Sequence, residues 1–120
     1  MILGVGVDLV ELERIAQACA RHPRFVERIL TPAERDYCLA RRSNPTPHIA
    51  GRWCAKEAVM KAVGHPLRWQ EVEILPDAHG KPVVHLHGSS AHAVGTGELI
   101  VSITHTRTLA HALALWVVNR

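Results

Sequence analysis

The segment Thr46 to Val63, TPHIAGRWCAKEAVMKAV, limits the possible folds more than any other stretch of the chain. Thr46 can cap a helix N-terminus through its hydroxyl, and Pro47 suits the first helical position, where a missing N–H costs nothing. Ile49, Ala50, Trp53, Cys54, Ala58 and Ala62 recur at steps of three and four, which makes the apolar stripe of a core-facing helix. Lys56, Glu57 and Lys61 lie beside that stripe. Glu57 and Lys61 are four residues apart and leave the same side of the helix, separated by one turn. A pair at this spacing is ordinarily a weak, solvated ion pair, so chemistry here requires partners from elsewhere in the chain.

Upstream, ILGVGVD reads as a buried strand from Ile2 to Asp8 that ends in a carboxylate. Its two glycines do not make a dinucleotide fingerprint, because the third glycine of G-x-G-x-x-G would fall at Leu9. Asp8 with Glu11 can form a capping box for a helix over Leu9–Ala20, whose inner face is Leu9, Leu12, Ile15, Ala16 and Cys19. A short segment from Arg24 to Leu30 follows. Thr31, Pro32 and Glu34 then open a third helix, again with a capping box, running to about Arg42.

Downstream of Val63 the periodicity changes. Gly64-His65-Pro66 makes a turn, and Val72/Ile74 and Val84/Leu86 alternate around the turn-rich stretch Leu75–Pro82, which predicts a hairpin with Lys81 at its tip. Gly88-Ser89-Ser90 caps a short helix through about Val94. Leu99, Val101, Ile103 and His105 share one face of the next strand, and Ala110–Val118 forms the last. Helices first and antiparallel strands second make an α+β fold, expected as one domain over residues 1–120.

The net charge of +3 conceals an asymmetry: Arg14 to Arg52 carries eight arginines against Glu27, Glu34 and Asp36, a local balance of +5, leaving −2 for the remainder. An arginine-rich, lysine-poor surface suits a partner that displays carboxylates or phosphates. Arg14, Arg21, Arg24 and Arg28, with Phe25 among them, form the candidate docking face. Cys19, Cys38 and Cys54 stand singly and are assigned to packing. No basic leader precedes the first apolar run, and no apolar stretch approaches the ~20 residues that span a bilayer, so a cytoplasmic protein without membrane contact is expected.

If the strand carrying Asp8 packs on the helix carrying Glu57, the two carboxylates make a hard-cation site. Magnesium commonly takes one or two protein carboxylates and completes its octahedron with water and substrate phosphate. Lys61 would neutralise charge or move a proton, and His105 would reach a second phosphate, which together outline phosphoryl transfer.

These residues lie in motifs. GVGVDLVELERI, RWCAKEAVMKA, LPDAHGKP and VSITHTRTLAHALAL occur in one order, and with them nearly the whole chain resembles the holo-[acyl-carrier-protein] synthase family of 4′-phosphopantetheinyl transferases. The resemblance implies transfer of phosphopantetheine from coenzyme A to a serine of apo-acyl carrier protein, with release of adenosine 3′,5′-bisphosphate, in the service of fatty acid biosynthesis. It implies Mg2+ at Asp8 and Glu57 and a catalytic set of Asp8, Glu57 and Lys61, with the proton acceptor a carboxylate, a lysine or a metal-bound water. Coenzyme A phosphates fall to His105, with Thr104, Thr106 and Lys81 beside it. Carrier-protein docking falls to Arg14, Arg21, Arg24 and Phe25, and the assembly to a homotrimer with active sites between subunits. Two departures stand out. The loop after Lys61 is Gly64-His65-Pro66 instead of a glycine- and threonine-rich run, and Pro66 has no N–H to offer a phosphate; Thr104-His105-Thr106 replaces the usual Ser-His-Ser.

Two other readings compete. The sequence pI near 9.1 and the arginines also suit a non-catalytic nucleic-acid-binding module, but only Phe25 and Tyr37 accompany the arginines before Trp53, and no groove-reading signature is present. His85-x-His87 on a strand points two imidazoles one way, as a transition-metal site requires, with no carboxylate nearby in sequence.

Overall fold

In the computed structural model, residues 1–40 and 43–119 are described. β1 (Ile2–Glu11) pairs antiparallel with β5 (Leu109–Val117), and β5 with β4 (Glu98–His105), giving the order β1-β5-β4. β2 (Val72–Pro76) and β3 (Pro82–Leu86) form the expected hairpin as a separate two-stranded sheet. The helices are α1 (Leu12–Arg21), α2 (Phe25–Ile29), α3 (Pro32–Ala40), α4 (Thr46–Val63) and α5 (Gly88–Val94), with one 3-10 turn at Trp69–Glu71. The architecture is α+β, as the pattern of helices then strands indicates.

α4 lies across the inner face of the larger sheet, chiefly against β1 and β5. Small residues let it come close: Ala58 and Ala62 on the helix and Ala110, Ala112 and Ala114 of β5 are all buried. On β1 even alanine is too large. A Cβ added to Gly4 would stand 1.9 Å from the Ala62 carbonyl oxygen, and one on Gly6 would stand 2.0 Å from that of Ala58. The glycines thus remove the side chain where strand and helix backbones touch, and that contact sets how near Asp8 comes to Glu57 and Lys61.

Several local expectations change. β1 runs through Asp8, which pairs with Ala112, as far as Glu11, and α1 begins only at Leu12. The capping role of Asp8 is therefore overturned: the β1–β5 ladder absorbs the backbone that a cap would have served. Leu9 belongs to the strand and is exposed, and Ala16 is exposed on α1. Thr46 is the first residue of α4 and does not cap it. Pro45 holds the N-cap position without a side-chain bond, and the Thr46 N–H donates to Asn44 Oδ1 at 3.3 Å.

α4 also lacks the single stripe and exposed charged face expected of it. Gly51, Arg52, Ala55, Lys56 and Val59 are buried along with the stripe, because α1, α3 and β2 cover the side away from the sheet. Arg52 is accordingly not part of the basic surface: its Nε donates to the Ile74 carbonyl at 3.2 Å and its guanidinium lies 4.5 Å from the centre of the Tyr37 ring. The Thr31/Glu34 capping box is present, with Thr31 N–H donating to Glu34 Oε1 at 2.8 Å and Glu34 N–H to Thr31 Oγ1 at 3.2 Å. The expected end of that helix at Arg42 falls outside the described residues. α5 is capped differently from expectation. Glu71 accepts from Ser89 Oγ, Ser90 N and Ser90 Oγ at 2.9, 3.0 and 2.9 Å, serving from the neighbouring turn.

The outer face of the three-stranded sheet is apolar and open, with Leu3, Val5, Val7 and Leu9 of β1 and Ile100 of β4 all exposed.

Candidate active site

Alternation along β1 turns Asp8 toward α4, on the side where Gly4 and Gly6 make their backbone contacts. There Lys61 Nζ, leaving the last turn of α4, donates to the Val7 carbonyl at 3.0 Å and to Asp8 Oδ1 at 3.2 Å. Glu57 stands one turn earlier on the same side. Burial raises the pKa of its carboxyl, the negative charge of Asp8 raises it further, and Lys61 opposes both. The two carboxylates therefore sense each other across the strand–helix contact. Cys54, one turn before Glu57 and fully buried, has its thiol pushed up to about 12, first by burial and then by Asp8, and donates to the Ala110 carbonyl at 3.4 Å.

Two cavities open on this cluster. One of about 540 Å³ is lined by Glu57, Met60, Lys61, Pro66 and Trp69. The other, about 470 Å³, is lined by Asp8, Leu9, Lys61 and His111. Lys61 borders both. His111 carries no periodic signal that marks it in sequence; only the pairing of Leu9 with His111 brings it beside Asp8. Met60 and Trp69 are likewise visible only once the loop after α4 folds back.

Asp8 and Glu57 offer hard carboxylate oxygens and no soft ligand, and among the described residues no group of three His, Cys, Asp or Glu is arranged to enclose a metal. That donor set does not suit a transition metal held wholly by protein. It fits a magnesium ion that takes two carboxylates and fills its other positions with water and phosphate.

The remaining candidates lie elsewhere. His105 and Thr106 line a third cavity of about 650 Å³ with Leu12, Asn44, Pro47 and Arg107. Thr106 Oγ1 is occupied in the β4–β5 turn, accepting from Thr108 N–H at 3.2 Å and Leu109 N–H at 3.0 Å. Thr104 points to the outer sheet face, paired with His111. Lys81 closes the β2–β3 turn, its N–H donating to Asp77 Oδ1 at 3.0 Å and its carbonyl accepting from Asp77 N–H at 2.8 Å. Within one chain, then, Asp8, Glu57 and Lys61 come together, His105 and Thr106 share a separate cavity, and Lys81 joins neither.

On the arginine face, Arg14 and Arg21 project exposed from one side of α1, seven residues apart. Arg24, Phe25 and Arg28 line a groove of about 300 Å³ with His22 and Pro23. Phe25 is half-buried because its ring packs 5.6 Å from Trp53, which stacks 4.9 Å from Trp69. The aromatic row therefore runs from the groove to the wall of the Glu57 cavity.

Lys56 is fully buried. Its ammonium donates to the Ile29 carbonyl at 2.6 Å, Glu34 Oε1 at 2.7 Å and the Trp69 carbonyl at 2.9 Å, which uses all three of its protons. Burial pulls its pKa down while Glu34 holds it up. Glu34 Oε2 accepts in turn from Ile74 N–H at 2.7 Å. The rival histidine pair acquires a carboxylate that sequence distance had hidden: Glu73 is the register partner of His85, and its Oε1 lies 3.3 Å from His87 Nε2.

Residues 4–114 match the family model described as the 4′-phosphopantetheinyl transferase superfamily. A holo-[acyl-carrier-protein] synthase of Moorella thermoacetica is 43% identical over 120 residues, covering 95% of this chain and 93% of its own. One from Chlorobium limicola is 47% identical over 116 residues, covering 92% and 90%. The crystal structure of a holo-(acyl-carrier-protein) synthase from Bacillus anthracis in complex with CoA (3′,5′-ADP) superposes with a TM-score of 0.83 at 33% identity, covering 97% of this chain and 96% of that one.

Proposed function

Because the chain belongs to the 4′-phosphopantetheinyl transferase superfamily, we propose that it transfers the 4′-phosphopantetheine group of coenzyme A to a serine hydroxyl of apo-acyl carrier protein, as a holo-[acyl-carrier-protein] synthase. The observation that carries the reading is the Asp8–Lys61–Glu57 cluster, two carboxylates and an ammonium gathered beside open cavities in a chain matched almost end to end. In the reaction the serine oxygen bonds to the phosphorus that bears the pantetheine arm. The anhydride bond to the second phosphorus breaks, and adenosine 3′,5′-bisphosphate leaves.

Lys61 places positive charge where the pyrophosphate would lie and holds Asp8 in position. Glu57 lines the same cavity as Lys61, and a carboxylate oxygen there can take up the serine proton. Asp8 and Glu57 would hold Mg2+, which when bound supplies charge neutralisation on the phosphate oxygens.

Further parts of the reading concern the assembly. The open apolar outer face of the β1-β5-β4 sheet and the separation of the His105 cavity from Asp8 and Glu57 favour a homotrimer, in which one chain's His105, Thr104 and Thr106 face the coenzyme A held by another's Asp8 and Glu57. No helix among the described residues is long and apolar enough to cross a membrane, and we place the enzyme in the cytoplasm, where coenzyme A and carrier protein meet.

Incubation with apo-acyl carrier protein, coenzyme A and Mg2+ followed by intact-mass measurement should show a phosphopantetheine increment on the carrier. An unmodified carrier overturns the reading.

A further inference from the structure

The docking groove is built on α2, which at five residues is too short to hold its own shape. Its last carbonyls need partners from outside the helix, as all helix ends do. The structure supplies two of them from one side chain. Gln70 Nε2 donates to the Glu27 carbonyl at 2.5 Å and the Leu30 carbonyl at 2.6 Å, with the Arg28 carbonyl at 3.4 Å. An amide nitrogen has two protons, so the two short contacts are the bonds and the third is a near neighbour. The Ile29 carbonyl, which precedes Leu30, accepts from buried Lys56 at 2.6 Å. The C-terminus of α2 is thus clamped by a side chain that is itself exposed and by a lysine beneath it.

Gln70 follows Trp69, and Trp69 belongs to the wall of the Glu57 cavity. The same Lys56 ammonium that holds Ile29 also holds the Trp69 carbonyl, at 2.9 Å. The Trp69 ring stacks on Trp53, and Trp53 packs on Phe25 of the groove. Two adjacent residues therefore do two jobs, one shaping the cavity and the other fixing the helix that carries Phe25 and Arg28.

We propose that Gln70 is a positioning residue: it sets α2 against the rim of the Glu57 cavity, so that a carrier protein docked on Arg24, Phe25 and Arg28 presents its serine to Glu57. This rests on the reading of the arginine groove as the carrier-docking face. Gln70 touches neither the reacting phosphate nor the serine. It acts through α2.

Gln70→Met keeps the length and removes both donors; Gln70→Asn keeps the donors on a stem one methylene shorter. Gln70 is exposed, so neither change disturbs the core. Steady-state kinetics below the melting temperature of every variant should show Gln70→Met raising KM for apo-carrier protein by about five-fold, as loss of two hydrogen bonds of modest net strength predicts, with KM for coenzyme A changed less than about two-fold. Gln70→Asn should fall between Gln70→Met and the unsubstituted chain. Titration of carrier protein into the enzyme, followed by tryptophan emission, should show the same weakening without turnover. A merely structural role would lower turnover without splitting the two KM values. An unchanged carrier KM, or equal rises for both substrates, overturns the inference alone. Absence of transfer by the unsubstituted chain overturns the docking premise and the inference with it.

Discussion

Replacing Gly6 by alanine tests whether the backbone contact between β1 and α4 sets the geometry of the site. Gly6 does not have a positive φ, so alanine is excluded by space and not by backbone strain. The new Cβ would meet the Ala58 carbonyl oxygen at 2.0 Å and the Ala62 nitrogen at 2.8 Å, where ordinary contact begins at 3.4 Å. The two atoms it meets are the acceptor and donor of a helical i to i+4 hydrogen bond, and neither can swing away as a side chain would. Strand and helix must therefore part by about 1.4 Å, the difference between those two distances. Overpacking a tight core costs about 1–3 kcal/mol, and a contact with backbone on both sides belongs at the upper end, about 3 kcal/mol. Asp8 lies two residues along the same face, so the Lys61–Asp8 contact of 3.2 Å would open beyond ion-pair range. A misplacement of about 1 Å in a catalytic constellation can lower turnover by about 10²-fold. Urea unfolding measures the first effect, and transfer rates at a temperature where circular dichroism shows the variant folded measure the second. An alanine variant with unaltered stability and turnover would refute the role given to this contact.

Other perturbations address separate links. Asp8→Ala and Glu57→Ala should each lower transfer by about 10²-fold or more while leaving melting within a few degrees of the unsubstituted chain; an unchanged rate with either removes it from the site. Arg14→Glu combined with Arg24→Glu should raise KM for carrier protein more than KM for coenzyme A, and equal effects would argue against a docking face. Lys56→Met takes the buried cation away from Glu34 and the donor away from the Ile29 and Trp69 carbonyls, so stability should fall by about 3–5 kcal/mol in urea, and a loss below about 1 kcal/mol would contradict the buried pair. The Glu73 carboxyl is held below its usual 4.5 by the Thr31 hydroxyl and by His87. Its contribution to stability is thus present above that value and is lost as pH falls through its lower folded pKa. Between pH 6 and 3, Glu73→Gln should flatten the fall of melting temperature with pH; an unaltered slope would contradict the assignment.

What could be read from sequence was what short-range chemistry dictates. Asp77 shows this in the hairpin turn, where its Oδ1 accepts from His79 N–H at 2.8 Å and Lys81 N–H at 3.0 Å, a bond pattern that any Asp before a glycine turn invites. The Thr31/Glu34 capping box and the inward row Leu99, Val101 and Ile103 are legible for the same reason: spacing within a few residues determines them. Of the two readings of Asp8, the strand-end cap fails because the competing partner, Ala112, is far away in sequence and leaves no local trace. Gly4 and Gly6 complete no motif in sequence, and their purpose lies in the Ala62 and Ala58 carbonyls that they touch. Gln70 offered no signal at all, since its partners sit some forty residues upstream and are main-chain atoms that carry no side-chain identity.

α4 links these features, because its register separates the cavity-facing side chains from those that hold the scaffold. Successive residues on a helix are rotated by about 100°, so Lys56 and Glu57 face different surroundings although they are neighbours. Lys56 turns to the scaffold side, where three acceptors hold its ammonium within the core. Glu57 and Lys61, about 40° apart in projection, turn to the cavity side. The buried lysine fixes the rotation of α4, because any turn of the helix would take its charge away from Glu34 and leave each ion without its counter-charge. The glycines of β1 fix the separation of α4 from the sheet. With rotation and separation both determined, Glu57 is held where burial and Asp8 raise its carboxyl, and Lys61 is held where it can reach the edge of β1. The buried charge of Lys56 thus orients the cavity-facing charges of Glu57 and Lys61.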